Sequence, residues 1–298
     1  MKIGYPCINL SLDCRSSRTF RLKNYSEKRL KEILKSNLDC LLNILRYNKE
    51  NRIYFFRITS DLIPFASHPI MDFYWQKYFK SDFLQIGQFI KKNKMRITMH
   101  PGQYSVLNSI NQKVYKNSLL DLAYHVEVLD LMELDSKAKI QIHVGGVYQN
   151  KQESLNRFIE RYNYLDDNIK RRLIIENDEK SYNLNDCLQI HKKTGIPIVL
   201  DVYHHECFNS GESLSEAFNL FFKTWNDEDG IPIVHYSSQK VGGKKGNHAT
   251  EIDLIHFEQF IKNTLDFNFD LMLEIKDKEK SVLKAMKLIN NDERFNFE

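Results

Sequence analysis

Histidine and carboxylate side chains recur at the ends of short apolar segments along this chain of 298 residues. Imidazole nitrogens and carboxylate oxygens, with no thiolate among them, form a ligand set that suits Zn²⁺, Mn²⁺ or Fe²⁺. Any one of these residues alone is better explained as a hydrogen-bonded structural group, but their shared pattern favours metal binding. The candidate metal ligands are His68, His100, His143, Glu176, Asp201, His204, His235 and Glu274, with His248 as a further ligand or catalytic candidate.

So many ligands indicate more than one metal ion. A tetrahedral ion uses about four ligands, so two or three divalent ions that share bridging carboxylates are the simplest arrangement. Paired ions about 3.5–4 Å apart stabilise the attacking and leaving oxygens of a phosphodiester. The pattern therefore predicts metal-dependent hydrolysis of a phosphate ester.

The remaining histidines are weaker candidates. His125, His191 and His256 fall in predicted helices and are interpreted as structural or surface residues. Of the neighbours His204 and His205, at most one is expected to be a ligand, because an extended backbone points successive side chains to opposite sides.

Predicted strands and helices alternate along the whole chain, and this alternation sets the spacing of the candidate ligands. Longer segments with apolar residues at helical spacing separate short segments rich in β-branched and aromatic residues. Repeats of about 37 residues predict an α/β fold, a single (β/α)8 TIM barrel over residues 1–298 with the metal cluster at its C-terminal face. An open doubly wound sheet is disfavoured because no G-x-G-x-x-G or phosphate-binding loop is present. The eight predicted strands are KIGYPCINL from Lys2, RIYFFRIT from Arg52, MRITMH from Met95, KIQIHVG from Lys139, RRLIIEND from Arg171, PIVLDVY from Pro197, IPIVHYSS from Ile231 and DLMLEIKD from Asp270.

Composition and charge limit the classes of protein to which this chain can belong. Lys and Arg number 43 against 39 Asp and Glu, a formal net charge of +4 that permits a nucleic-acid partner without requiring one. A mean hydropathy of −0.49 and the lack of a long apolar segment argue against a membrane-spanning helix. The N-terminus is unlike a secretory signal, so an intracellular chain is expected, cytoplasmic if its source is prokaryotic. The five cysteines are scattered without a C-x-x-C pair, and free thiols are expected.

Taken together, the segments that carry the candidate ligands resemble the UV damage endonucleases, and the resemblance covers nearly the full chain. The matching segments are GYPCINL, SHP at His68, MHPGQYSVL at His100, QIHVGG at His143, LIIEND at Glu176, LDVYHH at Asp201, VHYSS at His235 and LEIKDKEKS at Glu274. The resemblance implies a TIM-barrel endonuclease, related to endonuclease IV, with two to three divalent ions, Mn²⁺ being expected. Its implied activity is to nick damaged double-stranded DNA 5′ to cyclobutane dimers, 6-4 photoproducts and some other lesions.

The resemblance also implies roles for individual residues. Gln103 and Tyr104 match a pair that fills the gap left by flipped nucleotides, and flipping costs least where base pairing is already damaged. Tyr5 and Asn9 match polar residues near the scissile bond. The catalytic candidates are Tyr5, Asn9, His248 and Glu274.

One position departs from the pattern of the resemblance. Some relatives carry a Lys two residues before the histidine of the seventh strand, which can be carboxylated to support the metals, whereas this chain has Ile233. A lesion-binding protein with impaired cleavage is therefore one alternative. A metal-dependent sugar isomerase or epimerase on the same barrel is another.

Two loops of the expected active face are rich in basic residues. Basic side chains and flexible backbone suit phosphate contacts, so damaged DNA is the expected partner of a chain that is expected to be monomeric. The candidate DNA contacts are Arg15 and Arg18 after the first strand and Lys240, Lys244 and Lys245 after the seventh.

Overall fold

The computed structural model describes residues 1–295, which form a closed barrel of parallel strands in the order β1 to β8. Each strand lies within one of the eight segments predicted from sequence, so the (β/α)8 TIM barrel is confirmed. The strands are β1 (Ile3–Pro6), β2 (Phe55–Ile58), β3 (Arg96–Met99), β4 (Lys139–His143), β5 (Leu173–Glu176), β6 (Ile198–Asp201), β7 (Ile233–Tyr236) and β8 (Asp270–Leu273).

The strands are buried on both faces. Every strand residue is buried except His143, which is half-buried at the end of β4. Helices cover such strands on the outside, and layers of side chains fill the inside. Gly4 permits the close approach of β1 to β2, because a Cβ at this position would lie 1.7 Å from the carbonyl oxygen of Phe55.

Helices return the chain from the C-terminal end of each strand to the start of the next. Asn183 and Asp186 cap the start of α7 reciprocally, and Gly195 ends this helix in the left-handed conformation with φ 74°. Within residues 1–295, no helix has both the length and the apolar character needed to cross a membrane. The helices are α1 (Glu27–Glu50), α2 (Trp75–Tyr78), α3 (Lys80–Lys92), α4 (Gln112–Leu131), α5 (Lys151–Asn163), α6 (Asp167–Lys170), α7 (Leu184–Thr194), α8 (Val202–Cys207), α9 (Leu214–Phe222), α10 (Leu254–Asn263) and α11 (Glu279–Leu288).

Buried ion pairs fill the N-terminal end of the barrel. Lys139 Nζ lies 2.5 Å from Asp229 Oδ1, and Arg96 Nη1 lies 3.7 Å from Asp270 Oδ2. Burial lowers the pKa of both cations, and the paired carboxylates oppose that effect. Pairing offsets part of the cost of removing these charges from water, so this end is a structural layer.

The expectation of free thiols is wrong for two of the five cysteines. Cys14 and Cys40 form a disulfide with Cα atoms 5.7 Å apart, although 26 residues separate them in the sequence. They meet because the loop after β1 folds back onto α1, which the sequence spacing does not reveal. Cys7, Cys187 and Cys207 are free, as expected.

Candidate metal centre

Strand pairing brings the candidate ligands together at the C-terminal ends of the strands. His143 pairs directly with Glu176 across β4 and β5, and Asp201 pairs with His235 across β6 and β7. Glu274 follows β8 directly. Since the strands are parallel and close into a barrel, these side chains share one mouth.

Two ligand clusters share the carboxylate of Glu176. In the first, His143 Nε2 and His100 Nε2 lie 3.7 and 4.0 Å from Glu176 Oε2. In the second, His235 Nδ1 lies 2.6 Å from Glu176 Oε1 and 3.3 Å from Glu274 Oε1. One carboxylate with an oxygen in each cluster is an arrangement that can bridge two metal ions.

A third cluster consists of Asp201, His204 and His248, whose ligand atoms lie within 4.8 Å of one another. Nδ1 of His204 is 3.1 Å from the carbonyl oxygen of Asn177, and Nδ1 of His248 is 2.8 Å from that of Glu274. These contacts place a proton on Nδ1 of each ring and aim Nε2 at the cluster. Metal-ligating histidines are commonly oriented in this way.

The third cluster fits a divalent cation. His204 Nε2 and His248 Nε2 face each other at 3.4 Å, and two acceptors this close need a cation between them, either a proton or a metal. For Zn²⁺, two metal–nitrogen bonds of about 2.0–2.1 Å at a tetrahedral angle separate the nitrogens by about 3.3 Å, which matches this spacing. Asp201 Oδ2 is buried without a hydrogen-bond partner among the described residues, and a cation would also satisfy this oxygen.

The pKa of His204 also indicates that its surroundings favour a bound cation. Burial lowers this pKa, but the carboxylates of Asp201, Glu176 and Glu274 raise it to about 9. A metal ion would gain from the same carboxylates and would displace the proton, so metal binding here should release a proton.

His100, Glu176 and Glu274 hold protonation states suited to metal ligands. Burial, together with the charge of Arg57, lowers the pKa of His100 to about 3, which leaves its ring neutral at pH 7. Burial raises the pKa of Glu274, but Arg57 and His235 outweigh burial and hold it well below its usual value. His235 likewise outweighs burial at Glu176 and lowers its pKa. Ionised carboxylates and a neutral imidazole are the forms that bind metals.

Three of the predicted metal-ligand and catalytic residues, His68, Tyr5 and Asn9, lie outside the clusters. His68 is exposed in the loop after β2, and its Nδ1 accepts a hydrogen bond from the Ile70 backbone N–H at 3.1 Å. Tyr5 is buried, with its hydroxyl donating to Asn48 Oδ1 and accepting from Asn9 Nδ2, both at 2.7 Å. The roles of Tyr5 and Asn9 remain predictions, and their burial suits positioning better than contact with a substrate.

Gln103 and Tyr104 lie in the loop after β3, on the face that carries the clusters. Both are exposed, and Tyr104 has 62% of its surface accessible. Gln103, His100 and His143 line a cavity of about 650 Å³. The pair lies in a loop that forms turns, and the next helix begins only at Gln112.

Both basic loops also leave the barrel on this face. Arg15 donates to the carbonyl oxygen of Asn9 at 2.9 Å, and Arg18 is exposed. After β7, Gln239 and His248 pair as an antiparallel bridge, so the loop of residues 239–248 carries a ligand candidate at its base. The lysines of this loop are Lys240, Lys244 and Lys245.

Two polar strand residues, among those that the structure describes, contact the ligands and are absent from the sequence-based candidates. Arg57 in β2 donates to Glu274 Oε1 at 2.6 Å, and Gln141 in β4 donates to Glu176 Oε2 at 3.2 Å. A signal was available, because each is a polar residue within an otherwise apolar strand segment. Such a residue needs a buried partner, and the mouth of the barrel supplies one.

The side chains of His204 and His205 point to different surroundings because these residues lie in a helix, not in an extended strand. Both lie in α8, whose start is capped by Asp201 Oδ1, which accepts from the His204 backbone N–H at 2.7 Å. His205 Nδ1 instead lies 3.8 Å from Glu212 Oε1. Only His204 of the two joins a cluster, as expected, but the expected alternation of an extended backbone is wrong.

Comparison with known proteins identifies the family. A sequence model of the family described as UV-endonuclease UvdE matches residues 1–296. The chain belongs to this family. The resemblance inferred from the motifs is therefore confirmed.

Relatives of this UvdE protein match it over nearly its full length. A UV DNA damage endonuclease of Clostridium perfringens (strain 13 / Type A) is 43% identical over 288 residues, which are 96% of this chain and 70% of that protein. The crystal structure of SacUVDE superposes with a TM-score of 0.93 at 45% identity and covers 98% of both chains. Endonuclease IV from Thermus thermophilus gives a TM-score of 0.59 at 13% identity over 84% of this chain and 94% of that one, which shows a shared fold alone.

Ile233 is the first residue of β7 in this UvdE member. It is fully buried and pairs with Asp270. Its position two residues before His235 places both side chains on the same side of the strand. Unlike a lysine, an isoleucine cannot be carboxylated, so this position supplies no oxygen ligand. The oxygen ligand that two of the described clusters share is the carboxylate of Glu176.

Proposed function

We propose that this protein is a metal-dependent DNA repair endonuclease that nicks the backbone 5′ to UV photoproducts and some other lesions, initiating their excision. The observation that carries the proposal is the set of three ligand clusters at the barrel mouth, beside the exposed pair Gln103 and Tyr104. The proposed substrate is damaged double-stranded DNA. The proposed enzyme acts as a monomer, in the cytoplasm if the source is prokaryotic.

The clusters would hold two to three divalent ions, with Mn²⁺ as the proposed metal. Such ions stabilise the charge on the attacking and leaving oxygens of a phosphodiester. The protein contributes ligand geometry: backbone carbonyls orient His204 and His248, and Gln141 holds the shared carboxylate of Glu176. The proposed ligand sets are His100, His143 and Glu176; Asp201, His204 and His248; and Glu176, His235 and Glu274.

The exposed residues around the mouth would bind and inspect the duplex. The amide of Gln103 and the ring of Tyr104 can replace hydrogen bonds and stacking where nucleotides flip out of the helix. The lysines of the loop 239–248 can pair with phosphates, and such contacts fix register without reading sequence. Lesion preference would then come from the low cost of opening a damaged site.

Nicking of supercoiled plasmid tests the proposal directly. Irradiated plasmid should be converted to the open circle in the presence of Mn²⁺, chelator should abolish conversion, and unirradiated plasmid should stay supercoiled. The nicks should carry 3′-hydroxyl ends that a DNA polymerase extends without further processing. Equal cutting of both plasmids would refute lesion recognition.

The same assay separates the alternatives. A lesion-binding protein with impaired cleavage would retain irradiated duplex in a binding assay but would not nick it, whichever divalent metal is supplied. A sugar isomerase would ignore both plasmids and interconvert a ketose and an aldose, an outcome that membership of an endonuclease family disfavours.

A further inference from the structure

Arg57 lies between two proposed metal ligands. Its Nη2 is 2.6 Å from Glu274 Oε1 and 3.1 Å from His235 Nε2. The Arg57 side chain is only 6% exposed, and its Nε has no hydrogen-bond partner among the described residues. A buried cation thus sits within the cluster of Glu176, His235 and Glu274, which we call the β7–β8 triad.

The contacts of His235 leave its ring without a free lone pair. A guanidinium has donors only, so Nε2 of His235 must accept the hydrogen bond from Arg57. The ring proton then lies on Nδ1, which donates to Glu176 Oε1 at 2.6 Å. In contrast, Nδ1 of His204 and of His248 faces a carbonyl oxygen and Nε2 points into the cluster.

A divalent ion at the β7–β8 triad cannot leave the bond between Arg57 and His235 intact. Ligation through Nε2 uses the lone pair that accepts from Arg57. Ligation through Nδ1 moves the proton to Nε2, where its N–H would point at the donors of Arg57. Both routes break the contact, because an imidazole offers one lone pair and one proton.

We propose that Arg57 is a positioning residue that competes with a divalent ion for the β7–β8 triad. In the absence of the ion, its charge compensates Glu176 and Glu274 and its bonds hold Glu274 and His235 in place. Binding of the ion displaces Arg57 from His235. This inference rests on the proposed metal dependence of the site.

Calorimetric titration of chelator-treated protein with Mn²⁺ tests the competition. Arg57→Met keeps much of the side-chain volume but removes the hydrogen bonds to Glu274 and His235 that the ion must displace, so Mn²⁺ should bind the β7–β8 triad about tenfold more tightly. The same variant should unfold at a lower temperature when chelated, because two buried carboxylates lose their counter-charge. A residue that only supports the fold would weaken metal binding when removed.

Lys278→Met is the matched charge control. Lys278 interacts with Glu274 through its charge, yet no hydrogen bond joins its side chain to His235 among the described contacts. Its loss should change Mn²⁺ affinity by less than about threefold, since the competing hydrogen bonds remain. An equal gain in both variants would overturn displacement in favour of a net-charge effect.

NMR spectroscopy can follow the displacement of Arg57 from His235 directly. In protein labelled with ¹⁵N-histidine, Zn²⁺ should shift the His235 ring nitrogens at saturation, and unshifted signals would overturn the proposal. Should Arg57→Met fail to fold, Arg57→Lys, which keeps a charge but loses the planar fork, must still bind Mn²⁺ more tightly than wild type. Wild type that binds no divalent ion defeats the proposed function as well, whereas unchanged affinity in a folded Arg57 variant defeats this inference alone.

Discussion

At the scale of single residues, the partner of each ring nitrogen determines what a histidine can do. His248 donates from Nδ1 to a backbone carbonyl, and its Nε2 faces another imidazole. His125 in α4 has a similar Nδ1 contact, 2.6 Å from the carbonyl oxygen of Asp121, but its Nε2 is buried without a partner among the described residues. The first arrangement suits a ligand, and the second suits a structural group of the core.

Glu274→Gln should remove metal-dependent nicking. The amide loses the charge that pairs with Arg57 and that the proposed ion requires. Loss of a partner outside the ligand shell costs about 10–100-fold in metal affinity or activity, so loss of this ligand should cost at least 100-fold. His143→Ala should have a similar effect, and plasmid nicking at fixed Mn²⁺ measures both.

The matched control for that prediction is Glu258→Gln. Glu258 is an exposed carboxylate on α10 that pairs with Lys262 at 2.9 Å. Its nicking rate should equal that of wild type. Full activity in Glu274→Gln would place the catalytic metals elsewhere.

His125 should make the stability of the fold dependent on pH. Burial lowers its pKa in the folded protein, so below the unfolded value of about 6.5 the unfolded chain binds the extra proton. Burial of the neutral His125 ring therefore costs no stability well above pH 6.5 and lowers the stability as the pH falls, by up to about 1.4 kcal/mol between pH 7.5 and 5.5 for this group. Denaturant unfolding of wild type and His125→Leu measures the difference, and parallel pH curves would contradict the assignment.

At the scale of elements, loops carry the groups that meet DNA in our proposal, and contacts with helices and strands hold these loops. The disulfide joins the loop after β1 to α1. The loop of residues 239–248 is fastened at its base by the bridge between Gln239 and His248, and the backbone N–H of Gly246 donates to the Tyr203 hydroxyl at 3.0 Å. Restraint of this kind lowers the entropy lost when a loop binds a partner.

Removal of the disulfide by Cys14→Ser should destabilise the protein. Closing a loop between residues 26 apart contributes up to about 3.5 kcal/mol through the entropy of the unfolded chain. The unfolding midpoint in urea should fall for Cys14→Ser and for wild type with reductant. Cys207→Ser, which changes a free cysteine, is the control, and a wild-type midpoint insensitive to reductant would contradict the prediction.

Replacement of Lys244 and Lys245 by alanine should weaken binding to DNA of any base sequence. If each lysine neutralises one phosphate, the slope of log K against log salt should fall by about 0.9 for each lysine replaced. Lys193→Ala is the control, because Lys193 lies near the end of α7, where the chain has returned to the N-terminal side of the barrel. An unchanged slope in the double variant would exclude this loop from the DNA interface.

At the scale of the whole molecule, the net charge of +4 conceals an uneven distribution. The mouth of the barrel collects Glu176, Asp201 and Glu274, all buried or partly buried. In our proposal, three divalent ions would add six positive charges where a phosphate of the substrate would lie, which outnumber the three carboxylates. Charge near neutrality overall is therefore compatible with a polyanionic substrate.

Divalent ions should stabilise the folded protein as a whole. A ligand that binds only the native state adds about 2.7 kcal/mol per site at 100 times its dissociation constant. Thermal unfolding should therefore shift upward with Mn²⁺ and return with chelator, at constant ionic strength. Asp201→Asn should respond less, and a wild-type midpoint that ignores Mn²⁺ would contradict ion binding.

Much of the fold and of the site could be predicted from the sequence because the signals are local. The apolar segments around Phe56 or Ile174 specify strands wherever they lie, and the position of His143 or Glu176 at a segment end follows from the same pattern. The features that were predicted wrongly depend on contacts between residues that are distant in the sequence. Cys14 meets Cys40 only because a loop folds back, which no spacing encodes.

The sequence by itself determined the order of the elements, the chemistry of the ligand set and the family. The tertiary structure decided which ligands meet: strand register pairs His143 with Glu176, and barrel closure brings Arg57 of β2 to Glu274 after β8. It also left His68 exposed outside the clusters. The physical reason is that side-chain type and periodicity are properties of short segments, whereas distances between segments arise from packing the whole barrel at once.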